Sequence, residues 1–145
     1  EKYEGVAAWH KELGNEAIRF NKITNKSGRQ YAFPDVKRNA RGGVSHFTMI
    51  KNYPVQGFAT GDVVPVVLIE MEERMKHLKS CLVNTVHDSS VADVHPEEKD
   101  EVLQIIEDMN DDLTNLIEKS YGVKMNVPLL LESKIGPNWL DVQDV

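Results

Sequence analysis

A single cysteine, Cys81, leaves this chain without the means to form an internal disulfide, and it fits a reducing compartment. No apolar run approaches membrane-spanning length; the longest, Val63 to Ile69, is interrupted by Pro65. The first residues are polar and mixed in charge, unlike a signal peptide. There is no internal repeat and no low-complexity linker, so the 145 residues read as one domain with a single modest core. Histidines are few, and His10, His46, His77 and His95 show no metal-ligand spacing.

What is present is an uneven distribution of charge. The net charge is -6, but residues 1–60 carry ten Lys and Arg against five Asp and Glu, a net of +5. Residues 61–145 carry seven against eighteen, a net of -11. Such asymmetry points to one face that meets a polyanion and another that holds acidic chemistry or faces water. Much of the acidity lies in Glu97 to Asp112, which reads as a solvated helix face.

Periodicity supplies the elements. Trp9, Leu13, Glu16, Ala17 and Phe20 recur at helical spacing, which predicts an amphipathic helix over about residues 2–21. Lys22 to Pro34 has an Asn/Lys/Ser/Gly centre between β-formers and predicts a hairpin. Lys37 to Gly43 follows as a basic, glycine-containing loop, and a strand-like or irregular stretch leads into Asn52-Tyr53-Pro54-Val55-Gln56-Gly57. A second helix is expected from Gly57 to Leu78, started late or kinked by Pro65. A third opens at His95-Pro96-Glu97-Glu98, with Pro near N1 and acids in the first turn, and ends at Tyr121-Gly122. Val127 to Glu132 reads as a last strand and Gly136 to Trp139 as a closing turn. The pattern is α+β, with short antiparallel strands and helices packed to one side. Cys81 falls on a strand expected to be buried, Asp62 and Asp93 are assigned to surface or capping, and Trp9 and Trp139 to packing.

The segment with most chemical content is Cys81-Leu82-Val83-Asn84-Thr85-Val86, then His87-Asp88-Ser89-Ser90, then Val91 to Val94. Two β-rich runs around a short polar break predict a tight hairpin. A carboxylate at such a turn is aimed outward by the strands, where its hard oxygens suit a divalent cation. Asp88 and Ser89 also suit the turn simply as turn formers. A His-Asp pair of the HD phosphohydrolase kind is a further reading, but it needs helices and additional histidines.

Three blocks resemble the C-terminal part of the palm of a family A DNA polymerase. Gly28-Arg29-Gln30-Tyr31-Ala32-Phe33-Pro34-Asp35 is similar to the family's GRRxxxPD hairpin. Asn52-Tyr53-Pro54-Val55-Gln56-Gly57-Phe58-Ala59-Thr60-Gly61-Asp62 is similar to NxPxQGxAAD, and Val86-His87-Asp88 to the VHDE of motif C. Val127 to Glu132 and Gly136-Pro137-Asn138-Trp139 resemble the terminal strand and the GxNW ending. Five pieces in order span nearly the whole chain. Two positions depart: Ser89 stands where the motif has Glu, as in phage-type members, and Thr48 where many members have Arg.

The resemblance implies an antiparallel palm-type sheet with flanking helices, covering 1–145, in a DNA-dependent DNA polymerase of phage type. It implies that Asp88 is a metal-binding catalytic residue and that His87 lies beside the primer end. Two Mg²⁺ ions roughly 3.5–4 Å apart would serve nucleotidyl transfer, one activating the primer hydroxyl and one bracing pyrophosphate. Gln56 and Asn52 are expected in the minor groove of a DNA primer–template, where each base pair offers acceptors; taken alone, either side chain also suits local backbone bonding. Arg29, Lys37, Arg38, Arg41 and Lys51 are candidate phosphate contacts. Motif A, with the other metal-binding Asp, and motif B, which grips the dNTP, have no counterpart here. The expected partner is therefore the polymerase segment carrying them, no membrane is involved, and the chain alone should not synthesise DNA. A cytoplasmic location follows, that of a bacterial host if phage-encoded. The alternative is a non-catalytic nucleic-acid-binding or assembly module derived from a palm.

Overall fold

The computed structural model describes residues 2–145. Two compact units are present. The first runs to Val66 and includes Tyr121–Val123; the second comprises Val67–Ser120 and Lys124–Val145.

The first unit starts with α1 (Glu4–Phe20), which buries Leu13, Gly14 and Ala17 and stops where Asn21 adopts a left-handed conformation. Strands β1 (Lys22–Thr24) and β2 (Gln30–Ala32) then form the expected antiparallel hairpin, Ile23 opposite Tyr31. Leu13, Ala17, Ile23, Phe33 and Ile50 make one buried cluster, edged by Tyr31, Val36, Val44 and Tyr53. Ile50 lies on α2 (Phe47–Phe58), which continues through a π-helical turn (Ala59–Val63) into α3 (Val64–Met75).

This helical run corrects the sequence expectation. It begins ten residues before Gly57, in the stretch expected to be strand-like or irregular, and ends at Met75 rather than Leu78. Pro54 lies inside α2 and costs it one amide donor. Burial of Ile50, wholly inaccessible to solvent, outweighs that local penalty.

In the second unit α3 buries Val67, Met71 and Met75, and α4 (Lys99–Tyr121) buries Val102, Met109, Leu113 and Ile117. Arg74 on α3 spans Glu70 and Asp112, donating from Nε at 2.7 Å and from Nη2 at 2.8 Å. A 3₁₀ turn over Pro96–Glu98 precedes α4, which ends at Tyr121 as expected. Strands β3 (Cys81–Val86) and β4 (Ser89–Asp93) pair antiparallel. The last pair is β5 (Lys134–Ile135) with β6 (Gln143–Asp144).

The α+β class holds, the strands of the described residues being divided among three two-stranded ribbons. The strand expected over Val127 to Glu132 is absent. Asn110 of α4 takes over the pairing there: its amide donates to the Leu131 carbonyl, and its oxygen accepts from the Leu131 N–H at 2.6 Å. Cys81 is exposed rather than buried, and Trp9 and Trp139 are 36% and 62% exposed rather than packed. No described helix is long and apolar enough to cross a membrane.

The base of the β3–β4 hairpin is held by Glu98. Its carboxylate accepts from the Lys79 and Ser80 backbone N–H groups and from Ser80 Oγ at 2.6 Å. Ser80 Oγ in turn accepts from the His95 N–H, closing the clasp between the two ends of the hairpin. The Ser80 hydroxyl, with the Lys79 and Ser80 amides, lowers the Glu98 pKa to about 2. Because the folded value lies below the ordinary 4.5, this stabilisation is complete above that pH and is lost as pH falls towards 2. Urea midpoints for the native chain and for Glu98→Gln are therefore expected to differ most near neutrality and to converge near pH 2. A difference independent of pH would contradict the assignment.

Candidate functional site

The hairpin that presents His87 and Asp88 is tighter than the four-residue polar break suggests. Val86 pairs with Ser89, so His87 and Asp88 alone form the turn. His87 has φ 55°, the left-handed region that two-residue hairpin loops require to match strand twist. Ser89 Oγ donates to the Val86 carbonyl at 2.9 Å and closes the turn. The register shifts between Leu82 and Asn84, which leaves Val83 as a bulge. A bulge bends the strand and raises its twist, so it changes the aim of the tip.

Both turn side chains are exposed. Asp88 sits on a β-turn, whereas an HD phosphohydrolase pair needs a helix, and that reading is set aside. Among the described residues no three His, Cys, Asp or Glu side chains gather to hold a metal ion. The hard oxygens of Asp88 fit one place in a Mg²⁺ shell, which commonly takes one or two carboxylates and completes itself with water and phosphate. The described residues of this chain do not supply the rest of such a shell.

The other candidates belong to the first unit. Asn52 and Gln56, four residues apart, share one exposed face of α2. Lys51 is half-buried, its Nζ 4.9 Å from the centre of the Phe47 ring. Lys37, Arg38 and Arg41 lie on a loop given shape by Asn39, whose side-chain oxygen accepts from the Arg41 and Gly43 N–H groups at 3.0 and 2.8 Å. An isolated bridge between Arg38 and Val44 closes the loop. Arg38 is partly engaged, donating to Asn15 Oδ1 and to the Gly42 carbonyl. Lys37 and Arg41 are exposed.

Arg29 is placed differently. Its Nε and Nη2 donate to Asp62 Oδ1 at 2.9 and 2.6 Å, and Nη2 also donates to the Gly61 carbonyl at 3.0 Å. Asp62 Oδ2 accepts from Asn25 Nδ2 at 3.0 Å and from Ser27 Oγ at 2.5 Å. Asp62 is thus buried, at 3% exposure, and the expectation of a surface or capping role is corrected. Burial pushes its carboxyl pKa up, but the bonds from Arg29, Ser27 and Asn25 outweigh this and hold it below the usual range. The sequence signal that could have revealed the pair was weak: an Asp directly ahead of the apolar run Val63 to Ile69, three residues before Pro65.

The model of DNA polymerase family A matches residues 1–141. The chain belongs to that family. DNA polymerase I of Caldicellulosiruptor bescii is 32% identical over 142 residues, which cover 92% of this chain and 15% of that protein. DNA polymerase I of Lactococcus lactis subsp. lactis is 26% identical over 149 residues, 99% of this chain and 16% of that protein. A DNA polymerase of Bacillus phage SP01 is 26% identical over 144 residues, 97% of this chain and 15% of that protein. This family A chain therefore spans about one-sixth of the length of these relatives.

Proposed function

We propose that this chain is the C-terminal palm segment of a phage-type DNA-dependent DNA polymerase and contributes motif C to template-directed nucleotidyl transfer. The observation that carries this reading is the His87-Asp88 turn on a two-stranded antiparallel hairpin, within a chain of this family. Asp88 would hold a share of a Mg²⁺ site whose other ligands come from the segment carrying motif A. That site, when loaded, supplies an activated primer hydroxyl and a stabilised pyrophosphate leaving group. His87 positions the primer terminus. Asn52 and Gln56 meet the minor groove, where neutral amides can sense base-pair shape without reading sequence. Lys37, Arg38, Arg41 and Lys51 neutralise backbone phosphates, in keeping with the net positive charge of residues 1–60. The location would be cytoplasmic.

Primer extension with Mg²⁺ and all four dNTPs tests the reading. The expected result is no synthesis by the chain alone and synthesis when it is joined to, or mixed with, the segment carrying motifs A and B. Extension by the chain alone would overturn the proposed division of the metal site. DNA binding without synthesis in the mixture would favour a non-catalytic module.

A further inference from the structure

Arg29 has the sequence signature of a phosphate contact, yet its guanidinium is directed at its own chain. The helical run from Phe47 to Met75 contains Pro65, which has no N–H to give to the carbonyl of Gly61, four residues earlier. Arg29 Nη2 takes the place of that donor at 3.0 Å. The Tyr121 hydroxyl satisfies the next carbonyl, that of Asp62, also at 3.0 Å. The Val64 N–H reaches back five residues to Ala59, which is the π-helical register itself. The β1–β2 turn is then locked to this π turn by four donor contacts on the Asp62 carboxylate. Gln56 lies within two turns upstream on the same helical run, and Asn52 one turn further.

We infer that Arg29 and Asp62 are a positioning pair, fixing the π-turn register and through it the aim of Asn52 and Gln56, and that Arg29 is not a phosphate ligand. The inference rests on the proposed DNA contacts of Asn52 and Gln56. Fork geometry matters here, because one guanidinium must bond a carboxylate and a carbonyl together, and a lysine ammonium offers no such planar fork. A phosphate contact, by contrast, accepts lysine as a point charge.

The test uses the 145-residue chain with Arg29→Lys, Arg29→Gln and Asp62→Asn. It reads backbone amide exchange over residues 55–66 without DNA, and anisotropy of a labelled primer–template duplex across a salt series. Exchange in that segment should quicken roughly tenfold in all three variants, including Arg29→Lys, as expected when a coupled network is cut. Duplex affinity should fall by a similar factor with an unchanged salt slope. Gln56→Ala should weaken binding in the native background and add nothing beside Asp62→Asn, whereas Lys37→Ala should weaken binding equally in both; general destabilisation would not produce that split.

The inference is overturned if Arg29→Lys matches the native chain while Arg29→Gln lowers the salt slope by about 0.9, the value of one lost phosphate contact. Additive Gln56→Ala and Asp62→Asn effects would also overturn it. If Asp62→Asn unfolds the first unit, Arg29→Lys, at an exposed side chain, replaces it in both arms. A native chain that binds no duplex would defeat the functional reading and the positioning role with it, while the exchange arm would still decide whether the pair holds the turn.

Discussion

Asp88→Asn in the complete polymerase is expected to cut primer extension by roughly a thousandfold or more, since changes to groups that merely support metal ligands already cost 10–100-fold. The amide keeps the size of the side chain and its fit to the turn, but it removes the negative charge and one hard anionic oxygen. Asp88 is exposed at the tip of a hairpin, so its loss should leave the fold intact, with an unchanged urea midpoint. Duplex affinity should also hold, because the proposed minor-groove and phosphate contacts lie in residues 37–56 and His87 is unchanged. Synthesis at the native rate by Asp88→Asn would favour the non-catalytic module. Ser89→Ala is the contrasting variant: it loses one hydroxyl bond to the Val86 carbonyl and should change activity only slightly.

How much of this was legible in the sequence depended on how local the deciding physics was. The His87-Asp88 hairpin was legible because alternating β-formers and a polar break act over a few residues. The end of α4 at Tyr121-Gly122 was legible for the same reason, Gly122 taking φ 66°. The start of α2 was not. Asn52, Pro54 and Gly57 each argue locally against helix, and only the burial of Ile50 against residues distant in sequence overrides them. The segment Val127 to Glu132 failed in the opposite sense: its composition suits a strand, but Asn110 supplies the partner for Leu131 and leaves no ladder to join. Asp62 was misplaced because an acid in a sequence looks solvated until its donors are found, and these lie 33 to 37 residues away.

The charge asymmetry was legible as a number and gains meaning from the fold. The boundary near residue 60 falls close to Val66, where the first compact unit gives way to the second. The basic residues proposed for DNA backbone contact thus share a unit with Asn52 and Gln56, and the acidic α4 lies almost wholly in the other. Arg29 shows the limit of counting charges, since a cation consumed by a buried carboxylate adds little to the field that DNA meets.

Gly57→Ala should be the most destabilising single-methyl change near the proposed DNA face, at about 2–3 kcal/mol, the upper part of the range for overpacking. A Cβ at this position would overlap Tyr31 Oη and lie 2.7 Å from Tyr31 Cζ, so the ring rests directly on the glycine. The ring has little room to retreat: Tyr31 lies 5.3 Å from the Tyr53 ring and packs against the buried cluster of the first unit. Tyr31 Oη is buried with no hydrogen-bond partner among the described residues. Tyr31→Phe should therefore cost little, since an unpaired buried hydroxyl contributes no bond to lose. It should not rescue Gly57→Ala fully, because the Cζ contact remains. Tyr31→Ala should make Gly57→Ala nearly neutral, giving a coupling above about 1 kcal/mol in a double-mutant cycle. Urea unfolding of the four chains measures all of this, and additive effects would show that the contact is relieved by backbone movement instead. Since Gly57 follows Gln56 directly, duplex affinity should fall with Gly57→Ala and recover in the double variant, which separates a displaced helix from a merely weakened one.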